Sequence, residues 1–315
     1  MIQERELNGI LKYAEELGLM PPGVAEILKS KDNRIHILGI HREPEEILTY
    51  AFDIDKNDNL NVYQLNGYHA TLLKVGDISH EKINGVDTAK LEELMRKIDW
   101  TNIMPVDLRH DNRIVECLSQ LARISLSQDE ERLKISELLT LKYLAGTPWG
   151  KLFEYSERRK QYEKSVFVEI HGNSQDLSVI DSYHIIYGRG IAKPAMPTQK
   201  TGEICWLTME DSKVVKLQDF NIADILSKLP FAERRTVLQT AEDIAKLSNG
   251  EQVEGKFKID GHIFAAYYEA DPINTDIAVR DLRQNKLDLK KLAESPQELK
   301  ELVKQTKKTR KGLGL

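Results

Sequence analysis

Cysteine is nearly absent: Cys117 and Cys205 are the only two in 315 residues, far apart and forming no CxxC pair. A disulfide framework and a cysteine-built zinc site are thereby excluded, and the usage fits a reducing compartment in which both thiols are small buried apolar groups. Long apolar runs are missing as well. The first residues, MIQERELNGILKYAEELG, carry charges throughout, and no later run approaches the roughly 20 apolar residues of a membrane-crossing helix. The expectation is a cytoplasmic protein with no membrane partner. A large excess of one charge is also lacking, since the net charge is −5. That figure conceals an asymmetry. Removing the five positive charges of Lys304, Lys307, Lys308, Arg310 and Lys311 from the net −5 leaves −10 on the rest. An acidic body repels a phosphate backbone, so contact with nucleic acid or an acidic protein falls to local basic elements.

What is there is a folded chain, 41% hydrophobic and 30% charged, long enough for one large or two ordinary domains. Leu7, Ile10, Leu11, Ala14 and Leu17 recur at helical spacing, Pro21-Pro22 stops that helix, and GVAEILKS reads as a short second one. RIHILGI and ILTYAFDI read as strands, and NLNVYQL and YHATLLKV flank Asn66-Gly67, a tight-turn pair that predicts a hairpin. Residues 87–164 read as helices: DTAKLEELMRKID, a second marked by Ile114, Leu118, Leu121 and Ala122, and a third capped by Ser127 with Glu130 and ended by Gly146. Thr147-Pro148 opens a fourth through WGKLFEYSERRKQYEK. From Ser165 onward SVFVEIH, LSVIDSYHIIYG, EICWLTM and VVKLQ read as strands. The helix pair NIADILSKL and FAERRTVLQTAEDIAKLSN follows, then GKFKID and HIFAAYYEA joined at Asp260-Gly261, then TDIAVRDLR. Ser295-Pro296-Gln297-Glu298 opens the last helix. The fold class is α+β, with antiparallel hairpins and sheets at both ends and a central helical module. The expected division is 1–86, 87–164, 165–284 and a C-terminal helix with a basic tail over 285–315. NVYQLNGYHATLLKV, LSVIDSYHIIYG and KFKIDGHIFAAYYEA each place a histidine after a turn-like pair, which raises the question of a repeated hairpin.

Motifs with chemistry mostly fail on their own requirements. Asp53, Asp55, Asn57, Asn59 and Asn61 alternate like the oxygen donors of an EF-hand loop. Asp58 stands where that loop needs glycine and Gln64 where it needs a bidentate glutamate, so DIDKNDN is read as a hairpin turn; Asp53, Asp55 and Asn57 remain the only metal alternative. His36 and His41, with Glu43 and Glu45, lack the convergence a metal site needs. Lys200-Thr201-Gly202 with Ser79-His80-Glu81-Lys82 copies two β-lactamase motifs without the triplet between them. AGTPWGKLF lacks the hydroxyl that a P-loop places on magnesium. Asp243 with Glu254-Gly255-Lys256 imitates the spacing of a nuclease centre, but Asp243 falls in an amphipathic helix.

The connection from Gly188 to Gly202 remains. Gly188 and Gly190 free backbone N–H groups to face an anion, and Arg189, Lys193 and Lys200 supply charge to neutralise it. The function expected is non-catalytic binding or assembly, with a macromolecular partner, protein or nucleic acid, held by this loop and the tail cations. The alternative is an enzyme on a phosphorylated or nucleic-acid substrate, with His184 transferring protons beside Arg189 and Lys200. No cofactor is expected.

Overall fold

A computed structural model of the chain describes residues 2–20, 34–43, 46–57, 62–101, 111–152, 159–194, 204–218 and 220–312. Among them are ten α-helices and thirteen strands in three sheets, an α+β fold with strands toward both ends and helices centrally. No helix among the described residues is long and apolar enough to cross a membrane.

Packing divides the chain into two units. The first comprises Met1–Met20, Asp53–Tyr68 and Val166–Leu315. It holds α1 (Ile2–Glu16), the ends of β2 (Glu46–Asn57) and β3 (Val62–Lys74) that lie within it, and β6 (Glu163–Glu169). Helix α6 (Val179–Ile186) leads to β7 (Ile191–Pro194), β8 (Ile204–Glu210) and β9 (Lys213–Leu217). These strands lie in the order β2-β3-β6-β9-β8-β7. β7, β8 and β9 are antiparallel neighbours, while β9 meets β6 in parallel. Two helices follow, α7 (Ile222–Ser227) and α8 (Val237–Ser248). An antiparallel sheet is then built from β10 (Val253–Ile259), β11 (His262–Asp271), β12 (Asp276–Arg280) and β13 (Lys286–Leu287). Helices α9 (Leu289–Glu294) and α10 (Pro296–Gly312) end the chain. Phe257, Phe264, Tyr268, Leu247, Leu292, Leu299 and Leu302 pack in one buried cluster, which is why the C-terminal helices close over this sheet.

The second unit comprises Pro21–Phe52 and His69–Ser165. Here β1 (Arg34–Glu43) borders β2, and the small β4–β5 pair (Lys82–Ile83, Val86–Asp87) precedes α2 (Thr88–Arg96), α3 (Asn112–Ser125) and α4 (Glu130–Leu144). A short 3-10 turn, Pro148–Leu152, and α5 (Arg159–Tyr162) follow. Leu91, Met95, Ile114, Cys117, Leu121, Leu139 and Trp149 form its core, and Trp100 meets Trp149 edge to face at 5.8 Å. Residues 87–164 fall inside this second unit, and the segment 1–86 is shared between the two.

Several expected elements take another form. Asn66-Gly67 is no turn: β3 runs straight through it, and Asn66 O accepts from Ile170 N at 3.0 Å. Gly67 is needed for close approach, because a Cβ there would stand 2.4 Å from Val168 O and 2.7 Å from the Phe167 ring. LSVIDSYHIIYG is not a strand but the helix α6 with its cap. Of the three histidine-bearing segments, one is therefore a single strand and one a helix; only KFKIDGHIFAAYYEA is a hairpin, with Ile259 opposite His262. Asp129 caps α4, where Ser127 was expected, and Ser127 Oγ accepts from Asp129 N. Of the helix expected after Thr147, the described parts are the 3-10 turn and one turn at α5, and Glu163 already belongs to β6. Residues 231–236 are not helical: Ala232 N donates to Lys256 O at 2.8 Å, and Thr236 with Gln239 forms the capping box of α8. GVAEILKS lies outside the described residues. Of the turn expected in DIDKNDN, Asp53 to Asn57 instead belong to β2, and residues 58 and 59 lie outside the described residues; β2 and β3 are sheet neighbours.

Candidate functional site

The stretch from Tyr183 to Pro194 is organised by α6. Ser178 Oγ accepts from Asp181 N, and Asp181 Oδ2 accepts from Ser178 N at 2.9 Å, a reciprocal cap that starts the helix despite its β-branched and aromatic residues. Val179, Ser182, Ile185 and Ile186 are the buried face. Gly188 takes φ +82° just past the helix end, where its N–H donates to Ile185 O and Arg189 N–H donates to His184 O. The Gly190 N–H donates to Ala270 O at 3.1 Å, and a Cβ at that position would lie 2.3 Å from the Pro272 ring. The backbone donors of this turn are thus spent on ending a helix and joining β11.

The cations are engaged within the chain too. Arg189 Nε donates to Glu269 Oε2 at 3.0 Å, its Nη1 lies 3.2 Å from His184 Nδ1, and its guanidinium sits 4.7 Å from the Tyr187 ring centroid. Glu269 is 4% exposed and also accepts from Arg280 Nε and Gln252 Nε2, each at 2.6 Å. Sequence reasoning placed His184 and Arg189 around an external anion. The structure brings these two together, with the carboxylate of Glu269 in that place. Burial first, and then the Arg189 charge, pushes the His184 imidazole down to about 4, so it is neutral at pH 7 and its Nδ1 can only accept from the guanidinium. Lys193 Nζ is 2.9 Å from Asp181 Oδ2. Lys200 lies outside the described residues.

The tail cations have a different setting. Helix α10 continues to Gly312, so the positions of Lys304, Lys307, Lys308, Arg310 and Lys311 are helical rather than a loose end. Leu299 and Leu302 fix its buried side. At about 100° per residue, helical positions 300, 304, 307, 308 and 311, all lysine, fall within one arc of about 100°. They span about 16 Å along the axis. Arg310, Glu298 and Glu301 fall outside the arc, and Lys300 and Lys304 are exposed.

Asp53 and Asp55 lie on one side of β2, with Phe52 and Ile54 buried on the other. The side chain of Asn57 and residues 58–61 are outside the described set, and no three His, Cys, Asp or Glu among the described residues group as metal ligands. His36 and His41 are exposed along β1.

Sequence reasoning missed a cleft of about 340 Å³ lined by Phe231, Glu233, Arg234, Arg235, Gln239, Glu254, Gly255 and Lys256. Its wall is the segment 231–236, expected to be helical and therefore unable to part from β10. The signal available was Asp243 with Glu254-Gly255-Lys256, and the structure assigns those letters another role. Asp243 is buried in α8, 3.3 Å from Arg235 Nε, while Glu254 and Lys256 are exposed on β10. Comparison with known protein families, curated proteins and solved structures finds no significant match.

Proposed function

We propose that this chain is a non-catalytic binding protein of the cytoplasm that engages an anionic macromolecular partner through the lysine face of α10. The observation that carries this is the recurrence of lysine at 300, 304, 307, 308 and 311 on a helix anchored by Leu299 and Leu302. A backbone already held in a helix loses less ordering entropy on binding than a free basic tail does. In the loop 188–202 the described cations Arg189 and Lys193 already face Glu269 and Asp181, which shifts the contact toward the tail. His184, the proton-transfer group of the catalytic alternative, is bonded to Arg189.

The test is a titration of two labelled probes, an oligonucleotide duplex and polyglutamate, with the full chain and with a variant carrying Ala at 304, 307, 308 and 311. The account expects saturable binding of at least one probe, weakened about tenfold or more in the variant, as loss of several charge contacts requires. Binding of neither probe, or equal binding by both proteins, overturns it.

A further inference from the structure

We infer that the cleft between residues 231–235 and β10 is a docking site for an extended segment of a partner protein, one carrying a carboxylate next to an apolar side chain. Residues 230–232 lie along the edge of β10, with Lys258 N donating to Pro230 O and Ala232 N donating to Lys256 O, both at 2.8 Å. At Glu233 the chain leaves that edge, and Arg235 holds it away. Its Nη2 donates to Tyr268 Oη at 2.8 Å, its Nε faces Asp243 Oδ2 at 3.3 Å, and its guanidinium lies 4.7 Å from the Phe231 ring centroid. The opening is therefore built by a partly buried ion pair and a stacked ring. Gly255 keeps its floor bare, since a Cβ there would stand 2.9 Å from the Tyr268 ring.

The charges select the occupant. Arg234 and Lys256 line the cleft, are exposed, and make no ion pair or side-chain hydrogen bond with any described residue. Glu233 and Glu254 line it as well. The two acids disfavour a polyanion such as nucleic acid, while a single carboxylate can pair with either cation. Val237 and Leu238, in the same first turn of α8 as Gln239, are 90% and 69% exposed. Adjacent large apolar side chains so open to water, next in sequence to a lining residue, mark a protein contact. This surface is distinct from the lysine face of α10 and stands whether or not that face binds.

The experiment pans a displayed library of random dodecapeptides on the full chain, then measures the enriched peptides by fluorescence anisotropy. Enrichment of Asp or Glu beside an apolar residue is expected. Affinity should fall about tenfold or more in Arg234→Glu/Lys256→Glu, and exchanging the peptide's acid for lysine should restore part of it in that variant. Leu238→Asp should weaken binding independently, which keeps the test open if the double variant is poorly folded. Selection without an acid–apolar pair, affinity unchanged in these variants, or displacement of the peptide by an equimolar oligonucleotide overturns the assignment.

Discussion

Glu269 gathers three donors, from Arg189, Arg280 and Gln252, at a position 4% exposed. Removing the carboxylate leaves Arg189, with a side chain 11% exposed, beside Arg280 and without its anionic partner, and breaking such a pair costs about 3 kcal/mol or more. Glu269→Ala should accordingly lower the unfolding free energy by about that amount in urea titrations. A change below about 1 kcal/mol would show that the network adds little. His184 supplies a pH prediction. Its folded value of about 4 lies below the ordinary 6.5, so the unfolded chain binds the proton first. The resulting stability is complete above about pH 6.5 and is lost as pH falls toward 4. His184→Gln should flatten stability against pH in that window, and the wild-type His184 ring resonances should not titrate until about pH 4. In the second unit Glu92 behaves as a paired carboxylate. Burial raises it, but bonds from Lys142 and Tyr143 and the charges of Lys142 and His80 outweigh that and hold it below the usual range. Its contribution is therefore present above the unfolded carboxylate value and lost on acidification through the lower folded one.

At the scale of elements, the glycines separate two physical roles. Gly188 ends α6 with positive φ and open space around its absent Cβ, whereas Gly190 abuts the Pro272 ring. Gly190→Val should therefore destabilise more than Gly188→Val, by about 1 kcal/mol or more in thermal or urea unfolding. The reverse order would contradict the packing described for Gly190. These positions also show what was legible in the sequence. Asp260-Gly261 is read correctly as a turn: both residues take positive φ, and nothing lies within 4 Å of where a Gly261 Cβ would stand. Asn66-Gly67 is the same kind of turn pair, but the glycine is there for the carbonyl of Val168, a neighbour about a hundred residues away that local pattern cannot reveal. Helix α6 was legible in principle: Ser178 and Asp181 form its capping box, and Val179, Ser182 and Ile186 share its buried face. The β-branched residues pulled the reading toward a strand, although packing and capping override so weak a propensity. The cleft was not legible, because it depends on where Arg235 finds Asp243 and Tyr268.

At the scale of the molecule, an acidic chain places lysine at helical positions 300, 304, 307, 308 and 311 of α10, while two of its most site-like cations, Arg189 and Lys193, are paired internally. The proposed contact with a polyanion falls to these positions rather than to Arg189 or Lys193. The most direct measurement is the slope of log affinity against log salt for an oligonucleotide duplex, compared between the full chain and the chain with Ala at 304, 307, 308 and 311. Each phosphate contact contributes about 0.9 to the slope, so the account predicts a slope shallower by about 2 to 4 in the variant, with the same thermal stability. Equal slopes, together with equal affinities, would contradict it.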